Sequence, residues 1–111
     1  MDCIFCKIVE KQIPADLIYE DEHVIGFYDL NPQAPIHVLF VPKYHTRRFS
    51  ELGEAEVLVA LQQAVKKFAD SEGLEERGYR LVINTGQDGG QTVDHLHIHL
   101  LAGRFLQWPP G

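Results

Sequence analysis

Three histidines stand at alternate positions in the run His95-Leu96-His97-Ile98-His99-Leu100-Leu101. On a β-strand successive side chains point to opposite faces. The spacing therefore predicts all three imidazoles on one face, with Leu96, Ile98 and Leu100 turned into the core. A lone histidine is most often structural. Three in alternate register are a poor choice for that purpose, because imidazole is a weak core residue and charged neighbours repel. Two chemistries fit the pattern. His-x-His on a strand can give two nitrogens to one zinc ion. A neutral imidazole is also a nucleophile near neutral pH, able to attack phosphorus and form an adduct labile enough to hydrolyse.

The preceding segment, Asn84-Thr85-Gly86-Gln87-Asp88-Gly89-Gly90-Gln91-Thr92, favours phosphorus. Its glycines permit close backbone approach, and its amides and hydroxyls suit non-bridging oxygens. A glycine-rich loop alone is usually only a turn. Cys3-x-x-Cys6 is a metal-ligand spacing, and a tetrahedron needs two more ligands. The chain has no other cysteine, so histidines must supply them, with His45 and His95 as candidates. The competing readings are two buried free thiols, or a redox pair. The redox pair lacks the usual strand-then-helix context.

The elements that must carry these groups follow from periodicity. Residues 3–9 read as a short helical turn that groups Ile4, Phe5 and Ile8. Residues 17–20 and 23–29 read as strands joined by a turn at 21–22, and 37–41 as a third strand stopped by Pro42. Val57, Leu58, Leu61, Val65 and Phe68 recur at helical spacing, which predicts a helix over 53–71, with Ser50 as N-cap and Gly73 as stop. Strands follow at 79–84 and 95–102. A run of strands, one long helix and two more strands predicts an α+β domain with an antiparallel sheet. A parallel crossover around the helix stays possible locally.

At 111 residues there is room for one domain, so residues 1–111 read as a single unit. A domain this small leaves much apolar surface exposed, which makes a dimer plausible. The net charge of −6 disfavours non-specific binding of nucleic acid or anionic membrane, so any phosphate must be bound locally. No apolar run approaches the roughly 20 residues of a membrane span. Met1-Asp2-Cys3-Ile4-Phe5-Cys6 does not read as a signal peptide. The expected compartment is the cytoplasm, where Cys3 and Cys6 are thiols or metal ligands.

The histidine run resembles the His-φ-His-φ-His-φ-φ signature of the histidine-triad (HIT) superfamily, where φ is apolar. Cys3-Ile4-Phe5-Cys6-Lys7-Ile8, Ile13-Pro14-Ala15, Phe27-Tyr28-Asp29, Pro32-Gln33-Ala34-Pro35-Ile36-His37 and Val41-Pro42-Lys43-Tyr44-His45 look like its Hint branch. So do Gly78-Tyr79-Arg80, Asp88-Gly89-Gly90-Gln91-Thr92-Val93, Gly103-Arg104 and Trp108-Pro109-Pro110-Gly111. The resemblance covers nearly the whole chain. It implies a five-stranded antiparallel sheet with two helices, two such sheets joined across a homodimer, and a tail over 103–111. It implies hydrolysis of purine nucleoside phosphoramidates, such as adenosine 5′-phosphoramidate or aminoacyl and lysyl adenylates, with no catalytic metal.

The same resemblance implies the roles. His97 is the nucleophile, His99 contacts the phosphate and supports proton transfer, and His37 holds the triad. Thr92 stands where relatives use a serine to hydrogen-bond the leaving amine. Asn84 and Gln91 neighbour the phosphate and ribose. Asp29 binds ribose hydroxyls, an acceptor role suited to a carboxylate. Phe5, Ile8, Ile13, Phe27 and Leu30 wall the base pocket, and Trp108 reaches toward the partner's site. Metal-binding members pair a Cys-x-x-Cys with two histidines, which implies one structural zinc at Cys3, Cys6, His45 and His95. Strand alternation puts His95 beside His97, so the strand must start irregularly or the zinc must border the pocket. Rival activities are a dinucleoside polyphosphate hydrolase of the Fhit type, a nucleotide-binding scaffold with little turnover, a nucleotidyltransferase, and a zinc protein without catalysis.

Overall fold

In the computed structural model, which describes residues 2–111, alternating apolar residues build five strands into one antiparallel sheet. The strands are β1 (Leu17–Glu20), β2 (Val24–Tyr28), β3 (Ile36–Pro42), β4 (Arg80–Ile83) and β5 (Ile98–Ala102). Their spatial order is β1-β2-β3-β5-β4, so the last strand in sequence lies inside the sheet and β4 forms an edge. Every neighbouring pair is antiparallel, which removes the parallel crossover.

The two faces of the sheet are covered by different helices. Val38 and Phe40 of β3, with Ile98 and Leu100 of β5, face α2 (Ala55–Ser71). That helix buries Val57, Leu61, Ala64, Val65 and Phe68 at helical spacing. Burying a side chain such as Leu61 or Phe68 contributes about 2 kcal/mol. The opposite face, carrying Ile25, Phe27, Leu39 and Val41, packs on Phe5 and Ile8 of α1 (Ile4–Val9). His37 and His99 share the parity of Leu39 on their strands, so they project on the α1 side. Ile4 lines a cavity with Phe5 and Ile8 but is not buried with them: it is 49% exposed.

Several boundaries differ from the sequence expectation. Regular strand begins at Ile98 rather than at His95, so the three histidines do not share one uniform face. Pro42 closes β3 inside the ladder, opposite Val24. Ser50 lies in a 3-10 turn (Phe49–Glu51), and α2 starts after Glu54 with no side-chain cap. Gly73 does end α2, at φ +68°, but the chain then forms a third helix, α3 (Leu74–Arg77). One turn is too short to show helical periodicity, and it forms because Leu74 is buried in the core under α2. No helix among the described residues is long and apolar enough to cross a membrane.

Candidate functional site

The start of α1 places both cysteines. The Cys3 sulfur caps the helix by accepting the Cys6 N–H at 3.4 Å, which brings the two sulfurs to one side. His95 reaches them from the segment before β5, with Nδ1 at 3.3 Å from Cys3 Sγ and 3.6 Å from Cys6 Sγ. His45, just past β3, puts Nδ1 at 3.3 Å from Cys6 Sγ. The four ligand atoms lie within 4.8 Å of one another. Tetrahedral zinc with N and S ligands separates its donors by about 3.4–3.8 Å, so the cluster fits a structural zinc ion.

The outer contacts agree. His95 is fully buried, and its Nε2–H donates to the Pro42 carbonyl at 2.9 Å. That bond leaves the Nδ1 lone pair facing the sulfurs, the usual arrangement behind a metal-bound histidine. Burial also lowers the pKa of His95 and favours the neutral, ligating ring. Burial, with Cys3 beside it, pushes the Cys6 thiol up to about 11. A zinc ion seated on both sulfurs displaces their protons.

The second cluster lies beside a cavity of about 270 Å³ between α1, β2 and the 92–99 segment. His97 donates Nδ1–H to the His95 carbonyl at 2.7 Å, so in the neutral ring Nε2 keeps its lone pair. Phe5 packs edge-on against this ring, centroids 5.1 Å apart. Behind it the Gln33 N–H donates to His37 Nδ1 at 3.0 Å. The proton of neutral His37 therefore sits on Nε2, which donates to His99 Nδ1 at 2.9 Å. His99 in turn carries its proton on Nε2. These tautomers are assigned from the bonding partners.

Asp29 Oδ2 lies 3.5 Å from His37 Nε2, and Asp29, His37 and His99 also bring ligand atoms within 4.8 Å. This trio does not suit a metal. His37 Nε2 presents a proton there, because its other nitrogen is occupied by a donor. Burial lowers the pKa of His37, against the pull of Asp29. Burial, with His97 and His37 beside it, pushes His99 down to about 4. Both rings stay neutral at physiological pH, which preserves the direction of the chain Gln33→His37→His99.

The structure gathers most of the expected site residues. Phe5, Ile8, Ile13, Phe27, Asp29, Leu30, Thr92, His97 and His99 line the cavity, and His37 stands behind it. Leu30 contributes from a largely exposed position. Three others lie elsewhere. Asn84 Nδ2 donates to the Gly89 carbonyl. Gln91 ties together Gly86 N–H, the Arg47 carbonyl and the Val93 carbonyl. Trp108 is 80% exposed and lies over Arg80. The glycine-rich loop is thus folded on itself: Gly90 N–H bonds Gln87 O, and Gln91 N–H bonds Gly86 O. A Cβ on Gly89 would run into the Thr85 backbone, so that glycine serves the turn. The Leu96 N–H is taken by the Thr46 carbonyl.

Sequence reasoning missed Ile4, Pro14, Ala15, Tyr28, Leu39 and Val93 as cavity residues. Leu39 was legible from its parity with His37. Val93 and Tyr28 adjoin residues already singled out.

The HIT domain is matched over residues 10–106. A 14 kDa zinc-binding protein of Zea mays is 48% identical over 112 aligned positions, covering 97% of this chain and 87% of the relative. The crystal structure of a HIT family hydrolase from Legionella pneumophila superposes with a TM-score of 0.95 at 46% identity, covering 99% of this chain and all of the other. A histidine triad nucleotide-binding protein from Candida albicans superposes with a TM-score of 0.86 at 32% identity, over 97% and 83% of the two chains.

Proposed function

The chain belongs to the HIT domain family, and from that premise we propose that it is a Hint-type purine nucleoside phosphoramidase using His97 as nucleophile. The carrying observation is the opposed pair of tautomers at the cavity: a lone pair on His97 Nε2 beside an N–H on His99 Nε2. The names of the Legionella hydrolase and the Candida nucleotide-binding protein point the same way.

In this reading the base stacks among Phe5, Ile8, Ile13 and Phe27, and Asp29 accepts from the ribose hydroxyls. His97 Nε2 attacks phosphorus, a P–Nε2 bond forms and the P–N bond to the leaving amine breaks. The leaving nitrogen takes a proton from a solvent water, relayed by the Thr92 hydroxyl at the cavity, while His99 keeps its Nε2–H for the phosphate. His99 Nε2–H stabilises charge on a non-bridging oxygen. Water then cleaves the nucleotidyl-His97 bond, releasing the nucleoside monophosphate and restoring the lone pair.

Zinc at Cys3, Cys6, His45 and His95 fixes the backbone of residue 95, whose carbonyl orients His97. It takes no part in bond breaking. The zinc-binding relative supports this assignment. The reading includes one domain over 1–111 with a tail over 103–111. It also includes a homodimer through the free β4 edge, where Leu81 and Ile83 are exposed. Cys3 and Cys6 must stay reduced to hold zinc, which favours the cytoplasm.

The test is AMP release from adenosine 5′-phosphoramidate by wild type and His97→Ala, both zinc-loaded and folded. Turnover lost by about three orders of magnitude or more supports the reading. Equal rates, or faster cleavage of a diadenosine polyphosphate by the wild type, reject it.

A further inference from the structure

Segment 31–33 is exposed, yet one of its amides sets the proton positions of two histidines. Exposed loops lose their geometry readily unless something ties them down. The start of this segment is tied by Asp29, whose Oδ1 accepts the Asn31 N–H at 2.8 Å. The far end is tied from outside the pocket, by the corner that follows β5. Arg104 Nη2 donates to the Gln33 carbonyl at 2.9 Å, and Nη1 donates to the Phe105 carbonyl. Gly103, at φ +97°, lets this corner press on Pro35: a Cβ there would meet Pro35 Cβ at 2.7 Å. The guanidinium and the bare glycine therefore grip the same short segment from one side.

We infer that Arg104 is a positioning residue for the reaction, holding the Gln33 carbonyl and through it the backbone of that residue, so that the Gln33 N–H, in the preceding peptide, fixes the tautomers of His37 and His99. The inference rests on the hydrolytic reading above for its kinetic consequence, though not for its structural one.

The argument turns on where one proton goes. With the Gln33 N–H in place, His37 Nδ1 must accept, Nε2 must donate, and His99 must accept at Nδ1. If the amide drifts away, His37 loses the donor that bars a proton from Nδ1, and only Asp29 Oδ2, 3.5 Å from Nε2, still favours the proton on that side. Where the proton moves to Nδ1, His37 Nε2 becomes an acceptor facing His99 Nδ1, which takes the proton instead. His99 would be left with a lone pair on Nε2, turned toward the negative oxygens of a phosphate. A single lost contact thus reverses two rings, because each hydrogen bond in the chain dictates the next. Arg104 touches neither ring. Its effect is confined to the protonation pattern and the step that uses it, and the base and ribose contacts remain.

The experiment is nitrogen-detected proton NMR of the imidazoles in the zinc-loaded protein, with kinetics on the same samples. In wild type both His37 and His99 should carry Nε2–H. Arg104→Met should give mixed tautomers at both rings. Its kcat should fall about 10–100-fold with KM nearly unchanged, and Arg104→Lys should recover part of the loss. Gln33→Pro removes the donor outright and should show the same reversal more completely, while Gln33→Ala keeps the amide and should keep the wild-type imidazole pattern. Unchanged tautomers in Arg104→Met would overturn the inference, whatever happens to the rate and whether or not Gln33→Pro reverses them. So would a fall in kcat accompanied by equal losses of thermal stability and zinc. The NMR pattern needs no turnover, so a wild type that shows both tautomers but cleaves no phosphoramidate refutes the hydrolytic reading alone.

Discussion

The two histidine clusters are built from one residue type and share one stretch of chain, yet they suit opposite tasks. His95 gives its Nε2–H to the Pro42 carbonyl and keeps a lone pair for the sulfur side. His37 receives the Gln33 N–H and is left with a proton facing His99. A carbonyl behind the ring leaves a lone pair on the far nitrogen, as at His95 and His97, and an amide behind it leaves a proton there, as at His37. Residue 95 serves both clusters: its ring joins the cysteines while its carbonyl holds His97. Imidazole chemistry here is decided by the partner of the second nitrogen, since the neutral ring has only one proton to place.

Substitutions that separate the clusters test this contrast most strongly. Cys6→Ser should abolish stoichiometric zinc and destabilise the fold by more than about 3 kcal/mol, because metal binding free energy is folding free energy at such a site. Metal content and urea unfolding, run beside His97→Ala, measure it. His97→Ala should retain both zinc and stability. A Cys6→Ser protein that keeps wild-type stability would erase the distinction between a structural and a chemical cluster.

A smaller effect probes the chemical cluster from its ribose side. Asp29→Asn should raise KM for adenosine 5′-phosphoramidate about tenfold, the loss of one charge-assisted hydrogen bond. Steady-state kinetics decide it. A change confined to kcat would instead place Asp29 in the proton chain beside His37.

The smallest effect is on stability against pH. His99 in the folded protein is held near 4 by burial, then by His97 and His37, against the favourable pull of Asp29. Its unfolded value is about 6.5. Between those values the unfolded chain takes up a proton that the folded chain refuses, so stability falls as pH drops from about 6.5 to 4. His37 shifts in the same direction. The urea midpoint of His99→Gln should decline less over this window than that of wild type. Parallel declines would mean that His99 titrates normally.

Much of this molecule was legible before its structure. The bounds of β1 and the burial of Val57, Leu61, Val65 and Phe68 follow from periodicity, a signal that survives in any context where one face is apolar. The grouping of Cys3, Cys6, His45 and His95 was named from the family resemblance, and the fold gathers them. The glycine-rich loop is bonded to itself as a turn, and turns and phosphate cradles use the same residues. Asn84 spends its side chain on the loop itself, and Gln91 ties the loop to the Arg47 and Val93 carbonyls.

The sequence by itself determined which groups are available: three alternate histidines, a pair of thiols four positions inclusive apart, and apolar periods long enough for one sheet and one long helix. Only the tertiary structure decided their states. His95 leaves the strand register because regular pairing begins at Ile98, and the proton on each ring follows from a carbonyl or an amide brought from a distant segment. Side-chain type is a local property of the chain, whereas the partner of a ring nitrogen depends on contacts between residues as far apart as Pro42 and His95.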